Sequence, residues 1–362
     1  MTQRYRIHTF GIPHLPTNRT YNSCAYTQRQ VKFCKMMRAR GHYIIFYGHA
    51  DSEVDCDEFV VVSDNAVLDQ AYQGYDWRNN QFRHNTGDHA YITFNDRCIP
   101  EIQQRVQPLD IVHCPFGFAH QRTAEAAEKL GAIIVEGGVG YTSGHFTRFR
   151  AYESHAVRNT VEGQINPQFW YSRVIPCYFD PDDFTYQTDK EDFVLFLGRI
   201  TELKGISTCI RAAEAAGVRL KIAGQGNLAE AGWAQLPNNC EFVGYADIET
   251  RRDLMSRASA FLIASSYNEP FGGVQVESML SGTPVISPFF GAFAEVNLHG
   301  ITGFHCHTLR DYRDAILNRN SIDPAACRAQ GMNYTLDRVA PMYERWFADI
   351  TEIYTGNGWM AL

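Results

Sequence analysis

The run from Glu269 to Gly282, Glu-Pro-Phe-Gly-Gly-Val-Gln-Val-Glu-Ser-Met-Leu-Ser-Gly, follows directly on the apolar stretch Ala260-Phe261-Leu262-Ile263-Ala264. An apolar run closed by a Pro-Phe-Gly-Gly turn and followed by a helical pattern predicts strand, loop and helix. Gly272 and Gly273 let backbone amides approach a ligand, and a helix N-terminus there favours an anion such as a diphosphate. Glu269 and Glu277 then flank that anion. A carboxylate accepts paired hydrogen bonds from neighbouring hydroxyls, so one acid suits the sugar side of a nucleotide sugar and the other suits the ribose. Taken alone, the pattern is better met by a buried strand and an amphipathic helix with two solvent-facing glutamates.

A second loop argues against the plainer reading. Phe193-Val194-Leu195-Phe196-Leu197 reads as a buried strand, followed by Gly198-Arg199-Ile200-Thr201-Glu202-Leu203-Lys204-Gly205 and a helix to about Gly217. Arg199, with its planar fork, and Lys204, as a point charge, are expected to reach the same diphosphate from the opposite side.

With Gly198-Arg199, Lys204-Gly205, Ala223-Gly224-Gln225-Gly226, Val243-Gly244-Tyr245, Glu269 through Glu277 and Gly282-Thr283-Pro284-Val285-Ile286 in place, the chain resembles a family 4 retaining glycosyltransferase of the GT-B fold, a member of the glycosyl transferases group 1. The resemblance covers most of residues 190 to 305. It implies an α/β architecture of two Rossmann-like domains facing each other across a cleft, with a final helix crossing back to the first. It also implies that Arg199 and Lys204 neutralise the donor diphosphate, that Glu269 faces the donor-sugar hydroxyls and that Glu277 holds the ribose. By the same resemblance Gly244 and Tyr245 border the nucleobase, and the amides of Phe271, Gly272 and Gly273 lie near the sugar and phosphates. Gly11, Gly198 and Gly226 complete the expected donor contacts. Glu269, Arg199 and Lys204 are the expected catalytic group.

The organisation expected is an acceptor-binding domain over 1–175, a nucleotide-sugar domain over 176–335 and a returning helix over 336–362. The turn-rich stretch Ile175 to Asp182 is the expected hinge. In the first half, Arg6–Phe10, Tyr43–Tyr47, Asp110–Cys114 and Ala132–Val135 read as strands, with helices at Cys24–Arg40 and Thr123–Leu130. The alternation implies parallel strands with crossover helices. The polar, aromatic stretch Ala71 to Asp96 reads equally as a lid or a hairpin. Thr308 and Asp311 form a capping pair, and Pro341 is expected to kink or restart the last helix.

Ligands of open α/β sheets gather at the carboxyl ends of strands, which points to Gly11–Asn22, His113–Gly117 and Glu136–Tyr141 on the acceptor side. Glu136, Gly137, Gly138 and Tyr141 are expected where a strand runs out. Many relatives carry a histidine near the position of Glu136, so His113 and His145 stand as substitutes, each equally readable as a structural histidine.

The formal charge of −7 argues against a broad nucleic-acid surface. No apolar run approaches the roughly 18 to 20 residues of a membrane span, and Met1–Arg6 is too polar to begin a secretory signal, so a cytoplasmic protein is expected. Ten cysteines stand singly without a Cys-x-x-Cys pair, alternation splits His305-Cys306-His307 between two faces, and Asp180, Asp182 and Asp183 fall in a turn. No metal and no cofactor are expected. The donor is expected to be a UDP- or GDP-linked sugar and the acceptor a glycan, a lipid-linked molecule or a small molecule. The helix bearing Arg29, Lys32, Lys35, Arg38 and Arg40 without an acid reads first as a solvated face and second as a dock for an anionic membrane or polyanionic acceptor. With Arg148, Arg150 and Arg158 it keeps a nucleic acid acceptor, such as modified DNA, among the alternatives. A sugar-nucleotide epimerase and a noncatalytic sugar-nucleotide binding protein are the others.

Overall fold

Two all-parallel sheets account for the alternating apolar runs and helical patterns. The computed structural model describes residues 3–73, 85–164 and 171–356. The first sheet holds β1 (Arg6–Phe10), β2 (Tyr43–His49), β3 (Glu58–Ser63), β4 (Ile111–Cys114), β5 (Ile133–Val139), β6 (Phe149–Tyr152) and β7 (Arg173–Val174), in the order β3-β2-β1-β4-β5-β6-β7. Its helices are α1 (Ala25–Ala39), α2 (Asn65–Tyr72), α3 (His89–Arg105), α4 (Gln121–Glu128) and α5 (His155–Gln164). The second sheet holds β8 (Glu191–Leu197), β9 (Leu220–Ala223), β10 (Cys240–Gly244), β11 (Ala258–Leu262), β12 (Val285–Pro288) and β13 (Gly303–Cys306), in the order β10-β9-β8-β11-β12-β13. With it go α6 (Ile206–Ala216), α7 (Ile248–Arg257), α8 (Val274–Leu280), α9 (Phe293–Val296), α10 (Leu309–Asn318), α11 (Pro324–Gly331) and α12 (Leu336–Thr355).

Each sheet is buried on both faces, which is why its strands read as continuous apolar runs rather than alternating ones. Ile7, Ile44, Phe46 and Ile133 face one core of the first sheet, while Phe10, Ile45, Tyr47 and Ile134 face the other. The second sheet divides likewise, with Phe193, Leu195 and Leu197 on one side and Val194 and Phe196 on the other.

The chain passes between the sheets twice, and the two passages are hydrogen-bonded to each other. The Phe179 amide donates to the Tyr334 carbonyl at 2.9 Å, and the Leu336 amide donates to the Phe179 carbonyl at 3.0 Å. From there α12 runs back over the first sheet, where Tyr343, Trp346, Phe347 and Ile350 enter the core with Tyr5, Phe33 and Met37. The helix is continuous through Pro341 rather than restarted there. Pro341 lies early in a 20-residue helix, so the missing amide removes one bond near its start while the buried face holds the rest.

Several local expectations are met. Thr308 and Asp311 form a reciprocal capping box, and Gly217 ends α6 in the left-handed conformation. Ala71–Asp96 contains the end of α2 and the start of α3, while 74–84 of that stretch lie outside the described residues. His305 and His307 both lie against the Phe289 ring, at 4.6 and 5.5 Å between centroids, while Cys306 enters the core.

The basic helix is a correction. Each cation on α1 is engaged within the chain: Arg29 with Glu153, Lys35 with Asp180, Arg38 with Asp55, and Lys32 over the Phe179 ring at 4.6 Å. Arg40 holds both oxygens of Glu344 on α12, at 2.8 and 2.9 Å. The counter-charges come from elements distant in sequence, so the lack of an acid on α1 itself misled. Arg150 lies 3.7 Å from both Glu136 and Glu162, and Arg158 donates to Ser172 at 2.9 Å. Docking of an anionic membrane or of DNA through these residues loses the basic face that suggested it. Among the described residues, no helix is long and apolar enough to cross a membrane.

Candidate active site

In the second sheet, β8 and β11 are adjacent although they are not consecutive in sequence, so the loops that leave them diverge to opposite faces and open a crevice between. The loop after β8 carries Arg199 and Lys204, and the loop after β11 carries Glu269. They are stitched together where they start. The Ser266 amide donates to the Leu203 carbonyl at 3.0 Å, and Gly205, at φ +73°, lies so close to Ala264 that a Cβ would fall 2.0 Å from its carbonyl oxygen. Only glycine fits both the left-handed backbone and that approach.

This stitching brings Lys204 Nζ to 2.8 Å from Glu269 Oε1, and the Ser265 hydroxyl donates to the same oxygen. Glu269 is 7% exposed, so its carboxylate is held by a cation and a hydroxyl at the edge of solvent. Arg199, on the same loop as Lys204, projects into solvent. The two expected diphosphate cations thus differ: Lys204 is fixed against Glu269, and Arg199 is exposed at the mouth.

Phe271 is buried beneath α8, and Gly272, at φ +67°, passes over the Phe293 ring, where a Cβ would meet a carbon at 2.4 Å. Gly273 is the N-cap of α8. One turn on, Glu277 receives Arg251 of α7 at 2.5 Å, a partner the sequence reading missed. Its signal was the Arg251-Arg252 pair just beyond the Gly244-Tyr245 loop. Gly198, Gly226 and Gly244 stand at the carboxyl ends of β8, β9 and β10. Tyr245 donates to the Asn22 side chain, which in turn donates to the Ala246 carbonyl at 3.2 Å, so the loop after β1 reaches the second sheet.

On the acceptor side several expectations fail. β5 runs on to Val139, so Glu136, Gly137 and Gly138 lie inside a strand and not beyond its end. Glu136 is fully buried. It accepts from the Tyr141 hydroxyl at 2.9 Å, from the Thr147 amide and hydroxyl at 3.1 and 2.8 Å, and from the Phe146 amide at 3.3 Å. Burial pushes its carboxyl up despite those donors. The acid ties down the loop 141–147. Tyr141 serves that loop, with His145 stacked on its ring at 5.3 Å.

His113 is also internal. Its ring stacks on Phe33 at 4.0 Å, its Nδ1 lies 3.0 Å from the Thr9 hydroxyl, and Gly137 covers its Nε2, where a Cβ would stand at 2.1 Å. Burial pushes the imidazolium down to about 3, so the ring is neutral at ordinary pH. Gly11 lacks a Cβ for a local reason, since one would meet the Thr17 hydroxyl at 2.7 Å.

Arg29 of α1 and Glu153, just after β6, are both buried close to the Glu269-Pro270 loop. The Arg29 guanidinium pairs with Glu153, donates to the Pro115 carbonyl at 3.0 Å and lies 4.8 Å from the Tyr26 ring centroid. Gly138, at φ +64°, leaves room for it, because a Cβ there would stand 2.4 Å from the guanidinium carbon. At Gly140 a Cβ would meet Pro270 at 2.9 Å and Glu153 Oε2 at 3.1 Å, so the first sheet touches the Glu269-Pro270 loop here. Glu295 of α9 closes the same side by accepting from the His155 and Ala156 amides at the start of α5, at 3.0 and 2.7 Å.

Residues 181–317 match the family described as glycosyl transferases group 1. An uncharacterized glycosyltransferase of Methanocaldococcus jannaschii is 34% identical over 128 residues, a match spanning 32% of this chain and 32% of that one. The chain therefore matches about a third of the length of this curated relative. Among solved structures, AviGT4, a glycosyltransferase involved in avilamycin A biosynthesis, superposes with a TM-score of 0.72 at 19% identity, covering 96% of this chain and 98% of that one. The Anabaena protein HepE in complex with UDP and glucose superposes with a TM-score of 0.68 at 16% identity, covering 95% and 100%. Likeness at such identities carries the fold: the two Rossmann-like sheets are of the GT-B type, and within them residues 181–317, the segment that holds the loops after β8 and β11, match the glycosyl transferases group 1.

Proposed function

We propose that this protein transfers a sugar from a nucleoside diphosphate sugar to an acceptor hydroxyl, with retention at the anomeric carbon and without a metal. The observation that carries the reading is the Lys204–Glu269 pair held in the crevice by two stitched loops. A cation beside a buried carboxylate suits a donor whose phosphate meets Lys204 and whose sugar hydroxyls meet Glu269. The HepE complex with UDP and glucose supports a UDP-linked donor, and a GDP-linked one fits the same charges. The acceptor is a glycan, a lipid-linked molecule or a small molecule.

In this mechanism the bond from the anomeric carbon to the diphosphate oxygen breaks, and the electron pair leaves with the diphosphate. Lys204, Arg199 and the amides of Phe271 to Gly273 stabilise that charge, a term of several kcal/mol in preorganised sites. The acceptor oxygen attacks from the same face, and its proton passes to the departing phosphate. Such chemistry needs no protein nucleophile.

Steady-state kinetics and calorimetry on two variants test the assignment. Glu269→Gln is expected to reduce transfer while sparing affinity for the free nucleoside diphosphate, whereas Glu277→Gln weakens the nucleotide itself. The reverse pattern would exchange the two roles, and no turnover of any UDP- or GDP-sugar by the unaltered protein would overturn the reading. Metal independence has its own check. Activity is expected to persist in EDTA because two side-chain cations take the diphosphate charge. Loss in chelator with rescue by Mn²⁺ or Mg²⁺ would show a metal requirement.

A further inference from the structure

We propose, building on the transferase reading, that a cavity on the outer side of the Glu269 loop is a carbohydrate subsite for a neutral sugar unit of the acceptor glycan, other than the unit that reacts. The cavity, of about 620 Å³, lies where β11, β12 and β13 end, between α6 and α10. That volume is within the roughly 300 to 1,000 Å³ of ligand pockets. Its wall includes Ser265, whose hydroxyl also donates to Glu269, so the cavity and the reaction centre share one loop.

Two features define the ligand chemistry. The first is aromatic. Phe289 and Phe290 follow β12 directly and are 50% and 42% exposed, although burying such rings is ordinarily favourable. Phe289 is fixed by His305, tilted against it at 4.6 Å and 31°, and by His307, edge-on at 5.5 Å and 78°. A pinned, half-exposed aromatic ring is a platform for the C–H face of a pyranose. The second is polar. Arg211 and Glu202 line the same cavity with opposite charge, beside the hydroxyls of Thr208 and Ser266. Paired donors and acceptors suit sugar hydroxyls. Glu202 opposes a phosphate or carboxylate, and Arg211 opposes a cation, so the ligand is polyhydroxylated and neutral.

A glycan array carrying neutral and acidic oligosaccharides tests this, read with the unaltered protein, Phe289→Ala and Arg211→Ala. A thermal-shift panel of UDP and GDP runs on the same preparations. The unaltered protein is expected to retain neutral oligosaccharides, and each variant to lose about tenfold in retention, with the nucleotide shift unchanged. Both side chains lie at the surface of the cavity, and if one variant loses its native melting transition the other decides. Retention of no neutral oligosaccharide, retention of acidic ones alone, or retention untouched by the substitutions would overturn the subsite. Absence of any nucleotide shift in the unaltered protein counts against the transferase reading instead, and the array still decides whether the cavity binds sugar.

Discussion

Lys204→Ala is expected to weaken binding of the nucleoside diphosphate by roughly 1.5 to 3 kcal/mol, about 10- to 150-fold, the value of a charge-assisted hydrogen bond. The effect should exceed that of Arg199→Ala, because Lys204 is held in place before ligand arrives, whereas the exposed Arg199 must be ordered on binding. Its loss also leaves the Glu269 carboxylate with the Ser265 hydroxyl as its remaining side-chain partner at a buried position, so stability should fall together with affinity. Titration calorimetry with UDP and GDP on both variants measures the order. Equal affinity in Lys204→Ala and the unaltered protein would remove this lysine from the site.

Arg29→Ala should be among the most destabilising substitutions in the first half of the chain, costing about 3 to 5 kcal/mol. The guanidinium and Glu153 are both buried, and truncating one leaves the other charged without compensation. At about 2.1 cal/mol/K of unfolding entropy per residue, the melting temperature of a 362-residue chain should fall by roughly 4 to 7 °C. Replacing both at once, Arg29→Met with Glu153→Leu, should recover most of that loss, since an apolar pair of similar volume avoids the desolvation cost of the two charges. Calorimetric melting of the single and double variants settles the point, and an unchanged Arg29→Ala transition would show that the buried pair does not hold this part of the chain together.

The second sheet was largely legible because its strands are continuous apolar runs ended by glycine loops, a signal that survives without tertiary information. The direct contact of Lys204 with Glu269 was not legible. The two residues lie 65 positions apart and meet because β8 and β11 are neighbours, a fact of strand order rather than of local pattern. Glu136 misled for a related reason. An acid followed by glycines ordinarily marks the end of a strand, but the loop 141–147 folds back and supplies its donors. In α3, Pro100 and the polar residues around it obscured the spacing of Phe94, Cys98 and Ile102, which the structure buries together. Arg29 and Glu153 lie 124 positions apart, and no local pattern joins them.

The course of α12 sets an order on how this protein can be made. Tyr5, Ile7, Phe33 and Met37 are covered in part by Leu336, Tyr343, Trp346 and Phe347. On the ribosome those late residues emerge only after the entire second sheet has been synthesised. The half made first therefore waits with part of its apolar surface bare, while the later half has its own two cores complete before α12 arrives. Birth order and the order of completion are reversed, and the nascent first sheet is the stage at which a chaperone has most to cover.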